Sequence, residues 1–135
     1  MAARFNNSIT LQPDQVGLNG VVLSAERTSN TIECAGREQL TLYVNLSTWA
    51  AASTVSVAID ISENGSTWFP LQSESIAAGI ATLTPLIWRQ AVGAAELWAI
   101  YTPIAAQKFR IRITSAGGTT DAASVTVRLS NLGNG

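Results

Sequence analysis

The amino-acid sequence predicts an all-β protein: a two-sheet antiparallel β-sandwich of jelly-roll type with an extended N-terminal arm. The main observation is that apolar and polar residues alternate with a period of two, which is typical of strands with one buried face. These short segments are separated by glycine, proline and Asn-Gly turns at the spacing usual for sandwiches. No period of about 20 to 50 residues recurs, which argues against a solenoid or propeller. The 135 residues suffice for one domain with one core.

Residues 1–20 form the predicted arm. The segment is polar and is interrupted by Pro13, Gly17 and Gly20, and only Ile9 to Leu11 alternates. We therefore expect an extended segment that can reach a neighbouring molecule. A single sandwich domain over residues 21–135 is expected to follow it.

The clearest strands lie in the first half of the predicted domain. Apolar residues occupy every second position over residues 40–46 and 55–61. Residues 73–101 contain only short apolar segments between prolines and glycines, and we interpret them as three strands. A turn of helix over residues 91–96 is compatible with this interpretation.

An Asn-Gly pair follows the second of these strands. Asn64 and Gly65 tolerate the positive φ angles of a tight hairpin turn, so the chain should return antiparallel through Trp68. Pro70 cannot donate a ladder hydrogen bond, which places the returning strand at a sheet edge or ends it there.

The last third of the chain alternates again, over residues 108–113 and 125–129. In the first of these strands the outward positions hold three basic residues: Lys108, Arg110 and Arg112. Arg128 extends this row if the last two strands pair. The row is either a solvated strand face or a stripe that binds acidic groups of a partner, since arginine binds carboxylates with two parallel hydrogen bonds.

Composition excludes several classes of function. Eight basic residues and a net charge of −1 offer no basic surface for a phosphate backbone, so we expect no nucleic-acid partner. No apolar run is long enough to cross a membrane, and the first residues do not resemble a signal peptide, so synthesis in a cytoplasm is expected. Only 13% of residues are charged, which suits a surface that packs against other protein.

The sequence contains no histidine, which removes the usual acid-base and transition-metal chemistry. A hydrolase with two carboxylates stays formally open among the nine acidic residues, but no pair is singled out, and we expect all nine to be solvated. We therefore predict no enzymatic activity, no cofactor and no metal site. Cys34, the single cysteine, is expected to be a small buried hydrophobic residue.

Six residues are the candidates for binding a protein partner. Three apolar ones come from the arm, one tryptophan from the loop after residue 48, and two arginines from the basic row: Phe5, Ile9, Leu11, Trp49, Arg110 and Arg112. Exposed tryptophans also allow a sugar-stacking platform, with Trp49 and Trp98 as the residues to test. A carbohydrate-binding module is therefore an alternative function.

Residues 43–46 and 54–71, followed by 108–114 and 125–129, resemble small β-sandwich structural proteins of tailed bacteriophages. Capsid decoration or cement proteins are the nearest type. The resemblance covers about residues 40–130 and consists of a strand, an Asn-Gly hairpin with Trp68, and an Arg-bearing strand pair.

This resemblance implies a virion protein on the outer surface of a capsid. It implies a homotrimer that binds the major capsid protein and stabilises the assembled shell. A neck or tail adaptor, or a fibre component, of the same kind of virion is the second structural interpretation.

Overall fold

The computed structural model describes residues 8–48, 53–92, 94–116 and 121–131. Within these residues the chain forms thirteen strands and one short helix. In chain order they are β1 (Ile9–Leu11), α1 (Pro13–Val16), β2 (Val21–Val22), β3 (Arg27–Thr28), β4 (Ile32–Glu33), β5 (Gln39–Thr48), β6 (Ser53–Ser62), β7 (Phe69–Pro70), β8 (Gln72–Ala77), β9 (Ile80–Pro85), β10 (Ile87–Val92), β11 (Glu96–Pro103), β12 (Lys108–Ser115) and β13 (Ala122–Ser130).

Two antiparallel sheets make up the body of the molecule. The first sheet has the order β1-β13-β5-β11, with β2 also paired to β13. The second sheet has the order β10-β6-β12-β3, with β4 paired to β12 and β7 paired to β6. Strands β8 and β9 pair only with each other among the described residues, and we call them the projecting hairpin.

The strand order is that of a jelly roll. If β1 with β2 and β3 with β4 are each counted as one interrupted strand, and the two-residue β7 is left aside, the body has eight strands. Their order is one, eight, three, six in the first sheet and two, seven, four, five in the second. The chain therefore crosses between the sheets as in a double Greek key, and the predicted jelly-roll sandwich is confirmed. The projecting hairpin is inserted between the fourth and fifth of these strands.

The core lies between the two sheets, because each long strand directs alternate side chains inward. Its fully enclosed members come from both sheets: Leu40, Leu42, Val55, Ile59, Phe109, Ile111, Ile113, Val125, Val127 and Leu129. Each such side chain contributes about 1.5–3 kcal/mol of hydrophobic stabilisation. The predicted alternation in β5, β6, β12 and β13 is therefore present in the fold.

The described part of the expected arm, residues 8–20, is integrated into the sandwich. Strand β1 pairs with β13, and the side chains of Val16 and Leu18 are completely buried in the core. The backbone N–H of Val125 donates to the carbonyl of Leu18 at 2.9 Å. The prediction of an extended, unattached arm is therefore wrong for residues 8–20. Val16 and Leu18, on either side of Gly17, cover part of the core.

The chain returns antiparallel after the Asn-Gly pair, as predicted, but the connection is the six-residue segment 63–68 and not a tight turn, and the returning strand begins after Trp68. The Asn64 side-chain oxygen accepts hydrogen bonds from the backbone N–H groups of Ser66 and Thr67, at 2.8 and 2.9 Å. Gly65 has a φ of 78°, which a residue with a side chain rarely adopts. Strand β7 then pairs antiparallel with β6, and Pro70 lies opposite Asp60.

Candidate protein-binding surfaces

The projecting hairpin has two chemically different faces. Antiparallel pairing places Ile76 opposite Ala81, Glu74 opposite Leu83 and Gln72 opposite Pro85 on one face. We call this the apolar face. The hydroxyl face consists of Ser73, Ser75, Thr82 and Thr84, with Ala77 and Ile80 towards the tip. Such an amphipathic hairpin normally covers a core with its apolar side.

Nothing in the described part of the chain covers the apolar face of the hairpin. All residues of β9 are exposed, and in β8 only Ser73 is partly buried. Ile76 and Leu83 are 70% and 63% exposed. An isolated two-stranded hairpin is at best marginally stable in water, and exposed apolar side chains of this kind are typical of surfaces that contact another molecule.

A second exposed apolar surface lies on the outer face of the first sheet. There β5 and β11 bring together Tyr43, Ala99, Leu97 and Tyr101, whose outward positions follow from their pairing. Leu97 and Tyr101 are 76% and 59% exposed. We call these four residues, together with Arg128 on β13, the outer patch.

The predicted basic row is present on β12, but its predicted extension to Arg128 is wrong. Lys108, Arg110 and Arg112 do lie on one face of β12, and the inward positions are buried. Arg128 does not extend the row, because β13 belongs to the opposite sheet and pairs with β5. The arginines of the row also have internal partners, which were not predicted.

Asp60 is the internal partner of both arginines of the row. It lies on β6 opposite Arg110, and it is only 4% exposed. Its carboxylate accepts hydrogen bonds from Nε of Arg110 at 2.9 Å and from Nε and Nη2 of Arg112 at 2.9 and 3.0 Å. The hydrogen bond to Asp60 raises the pKa of Arg112, and Glu26 adds to this effect.

Trp68 covers one side of this cluster. The guanidinium carbon of Arg110 lies 4.4 Å from the centre of the Trp68 ring, which is a favourable cation–π distance. The guanidinium groups of Arg110 and Arg112 therefore both have partners within the chain. Whether these arginines also bind a partner stays a prediction.

The expectation that all acidic residues are solvated is wrong for two of them. Asp60 is buried between the two arginines, and Asp121 is fully buried immediately before β13. The Ser115 hydroxyl donates to the Asp121 carboxylate at 2.7 Å, and the Asp121 backbone carbonyl accepts from the N–H of Leu23 at 2.8 Å. Both carboxylates are satisfied by local partners, which is what burial of such groups requires.

The other predicted binding residues are distributed over the molecule. Ile9 and Leu11 lie in β1, opposite core positions of β13; Leu11 packs against the core, and Ile9 is 38% exposed. Phe5 and Trp49 lie outside the described residues. The structure therefore does not bring the six predicted residues together into one surface.

The described tryptophans are engaged with the chain's own side chains. Trp88 and Trp98 are partly buried and pack against the core from the edge strands β10 and β11, while Trp68 contacts Arg110. The indole N–H of Trp98 is buried without a hydrogen-bond partner among the described residues. Each described tryptophan is thus half-buried and partly covered by the chain's own side chains.

Cys34 is completely buried, as the sequence predicted. Burial raises the pKa of its thiol to about 11, and the neighbouring carboxylates of Glu33 and Glu63 act in the same direction. Because the thiolate is the reactive form, this thiol is chemically inert at neutral pH. Within the described residues, no three metal-ligating side chains come together, and no helix has the length and hydropathy of a membrane crossing.

Fold and surface together define an antiparallel jelly-roll protein with an uncovered amphipathic hairpin. No family model and no curated protein matches the chain. Among solved structures it is similar to one described as "Structure of infectious bursal disease virus Gx strain", with 11% identity and a TM-score of 0.44. The match covers 99% of this chain but only 32% of that one, so this chain spans about a third of its length. At this level of similarity the comparison assigns no function.

Proposed function

We propose that this protein is a structural component of a virion that works by binding other protein rather than by catalysis. The observation that carries the proposal is the projecting hairpin, whose apolar face is left in water by the described part of the chain. Burying this face against protein gives about 25 cal/mol per Å² of apolar surface removed from water. A surface of this kind is typical of a protein-binding site.

The fold is compatible with the proposal, by analogy only. Jelly rolls occur in viral capsid domains and also in lectins, so the architecture alone does not select between assembly and glycan binding. The surface favours assembly, because the described tryptophans are occupied by Arg110 and by the core. Exposed aliphatic side chains on the hairpin and the outer patch suit contact with protein better than contact with a sugar.

More specifically, we propose a capsid decoration protein of a tailed phage, a homotrimer that binds the major capsid protein on the outside of the shell. The support is the sequence resemblance over residues 40–130 together with the low charge of the chain. A protein that binds only the assembled shell stabilises it by its binding free energy, summed over many sites.

Sedimentation with capsid shells tests this proposal. Purified protein is added to shells of the phage that carries it, prepared without it, and the bound copies are counted by quantitative mass spectrometry. A decoration protein binds in a number comparable to that of the major capsid protein and raises the temperature at which the shell falls apart. Absence of binding, or a number that fits a single ring at a neck or tail, would overturn the decoration role.

A further inference from the structure

We infer that the apolar face of the projecting hairpin binds the outer patch of a second copy of the same chain. The inference rests on the proposed function, since it names the protein that covers the hairpin. It concerns contacts between copies in solution, so it can fail while binding to a capsid succeeds, and the reverse is equally possible.

The two surfaces match in size. The six residues of β8 span about 20 Å and the eight residues of β11 about 26 Å, at about 3.3 Å per residue. The hairpin is two strands wide, as is the pair β5 and β11 that carries most of the outer patch. Two sheets of these dimensions can pack face to face in the way that the two sheets of a sandwich do.

The two surfaces also match in chemistry. The apolar face presents Ile76, Ala81 and Leu83. The outer patch presents Leu97, Ala99 and the rings of Tyr43 and Tyr101, and all of these side chains are exposed. Removing both surfaces from water at once gives a larger gain than covering either with a polar partner.

Charge complementarity identifies the partner as a second copy. Glu74 is the only charged residue of the hairpin, and it lies on the apolar face. Arg128 is the only charged residue that points outward from the described part of the first sheet, where it lies in one row with Thr41 and Tyr101. Both side chains are exposed, and neither forms a salt bridge within the described residues. In the inferred contact, the carboxylate of Glu74 on the apolar face of one copy pairs with the guanidinium of Arg128 in the outer patch of the next.

The contact has to form between copies. The hairpin is inserted between two strands of the second sheet. The outer patch lies on the first sheet, and its side chains are on the outer face of that sheet, away from the core. Joining a hairpin to the outer patch of the next copy uses two different surfaces of each chain, so the contact is either reciprocal within a two-fold dimer or head-to-tail. A head-to-tail contact closes into a ring when the rotation between copies allows it, and then every hairpin and every outer patch is covered.

A charge exchange tests the inference. Sedimentation velocity and native mass spectrometry are performed on the full chain and on the variants Glu74→Arg, Arg128→Glu and the double variant that carries both. The full chain should form an oligomer of its 14.2 kDa protomer, and each single variant should weaken association roughly tenfold or more, because like charges then meet in the interface. The double variant should recover association, since the pair is restored with its signs exchanged.

Arg89→Glu is the matched control. Arg89 is an exposed arginine on the edge strand β10 of the second sheet, outside both surfaces. This change should leave association unaltered, and combined with Glu74→Arg it should not restore it. A full chain that stays monomeric at high micromolar concentration overturns the inference. So does an oligomer that tolerates both single variants, or a double variant that remains dissociated while its circular dichroism is native.

Discussion

Asp60 is the residue on which the cluster of Arg110 and Arg112 depends. Its buried carboxylate receives three hydrogen bonds from Arg110 and Arg112, and no other acidic group replaces it at that position. Removing one partner of a buried ion pair leaves the other charge unpaired and is strongly destabilising. The arginine side chains are 32% and 28% exposed, so water compensates part of this loss.

We expect Asp60→Asn to lower the free energy of unfolding by roughly 2 kcal/mol, measured by urea denaturation. Glu26→Gln is the control. Glu26 also contacts Arg112, but at 3.4 Å and with a side chain 51% exposed, so its loss should change stability by less than about 0.5 kcal/mol. Equal effects of the two changes would show that burial of Asp60 contributes nothing.

Cys34 gives the stability of the protein a defined dependence on pH. The pKa of its thiol is about 11 in the folded chain, above its usual value of 9.0. Between these values the unfolded chain has lost the proton and the folded chain keeps it, so the folded state binds more protons. The contribution of Cys34 is therefore fully present below pH 9 and is lost as the pH rises towards 11.

A comparison with Cys34→Ala isolates this contribution. The difference in unfolding free energy between the two proteins should be constant below pH 9 and should shift in favour of the variant between pH 9 and 11. Alkylation by iodoacetamide should be slow at pH 8 in the folded protein and fast in urea. A constant difference across this range would show that the thiol ionises normally.

At the scale of elements, the long strands were predictable and the segment before them was not. Strands β5, β6, β12 and β13 each have one face in the core, so burial imposes a period of two on their sequences. Residues 8–20 mix a three-residue strand with a four-residue helix, and neither is long enough to show a period. The signal that could have found the helix is Pro13 at its first position and Gly17 after its last.

Gly17 shows how this segment is attached. Its φ is +84°, and a Cβ atom added there would lie 2.9 Å from the side chain of Asn30. The Asn30 side-chain amide donates to the carbonyl of Gln15 at 3.2 Å, and its backbone N–H donates to the carbonyl of Val16 at 2.9 Å, so the side chain cannot move away without losing a hydrogen bond. We expect Gly17→Ala to cost about 1–3 kcal/mol of stability.

Gly20→Ala is the matched control for Gly17→Ala. Gly20 also has a positive φ, of +62°, but no atom lies within 4 Å of the added Cβ. This variant carries only the backbone strain and should be the more stable of the two by thermal denaturation. If both lose the same stability, the contact between residue 17 and Asn30 is not part of what holds residues 8–20 against the sandwich.

At the scale of the whole molecule, the polar cluster and the two apolar surfaces could not be derived from the sequence. Asp60 and Arg110 are separated by 50 residues, and only the register between β6 and β12 brings them together. The apolar segments over residues 76–83 predicted strands, but a sequence pattern cannot tell whether the core or another molecule covers them. That distinction depends on the strand order, which places β8 and β9 outside both sheets.

The hairpin is expected to serve assembly and not folding. Joining Leu71 directly to Leu86 through an Asn-Gly turn is feasible because the N–H of Leu86 donates to the carbonyl of Leu71 at 2.8 Å at the base of the hairpin. The residues removed are almost all exposed, so the free energy of unfolding should change by less than about 1 kcal/mol, by the usual behaviour of surface changes. Association measured by sedimentation velocity should be lost.

Two single changes on opposite faces of the hairpin separate a specific contact from a general effect of hydrophobicity. Leu83 lies on the apolar face and Ile80 on the hydroxyl face, and their side chains are 63% and 67% exposed. Leu83→Ser and Ile80→Ser therefore remove similar exposed apolar surface. If the apolar face is the one that packs on another copy, only Leu83→Ser should weaken association, because it leaves a hydroxyl in a dehydrated contact. Equal weakening by both variants would mean that the hairpin associates through nonspecific hydrophobic contacts, without a preferred face.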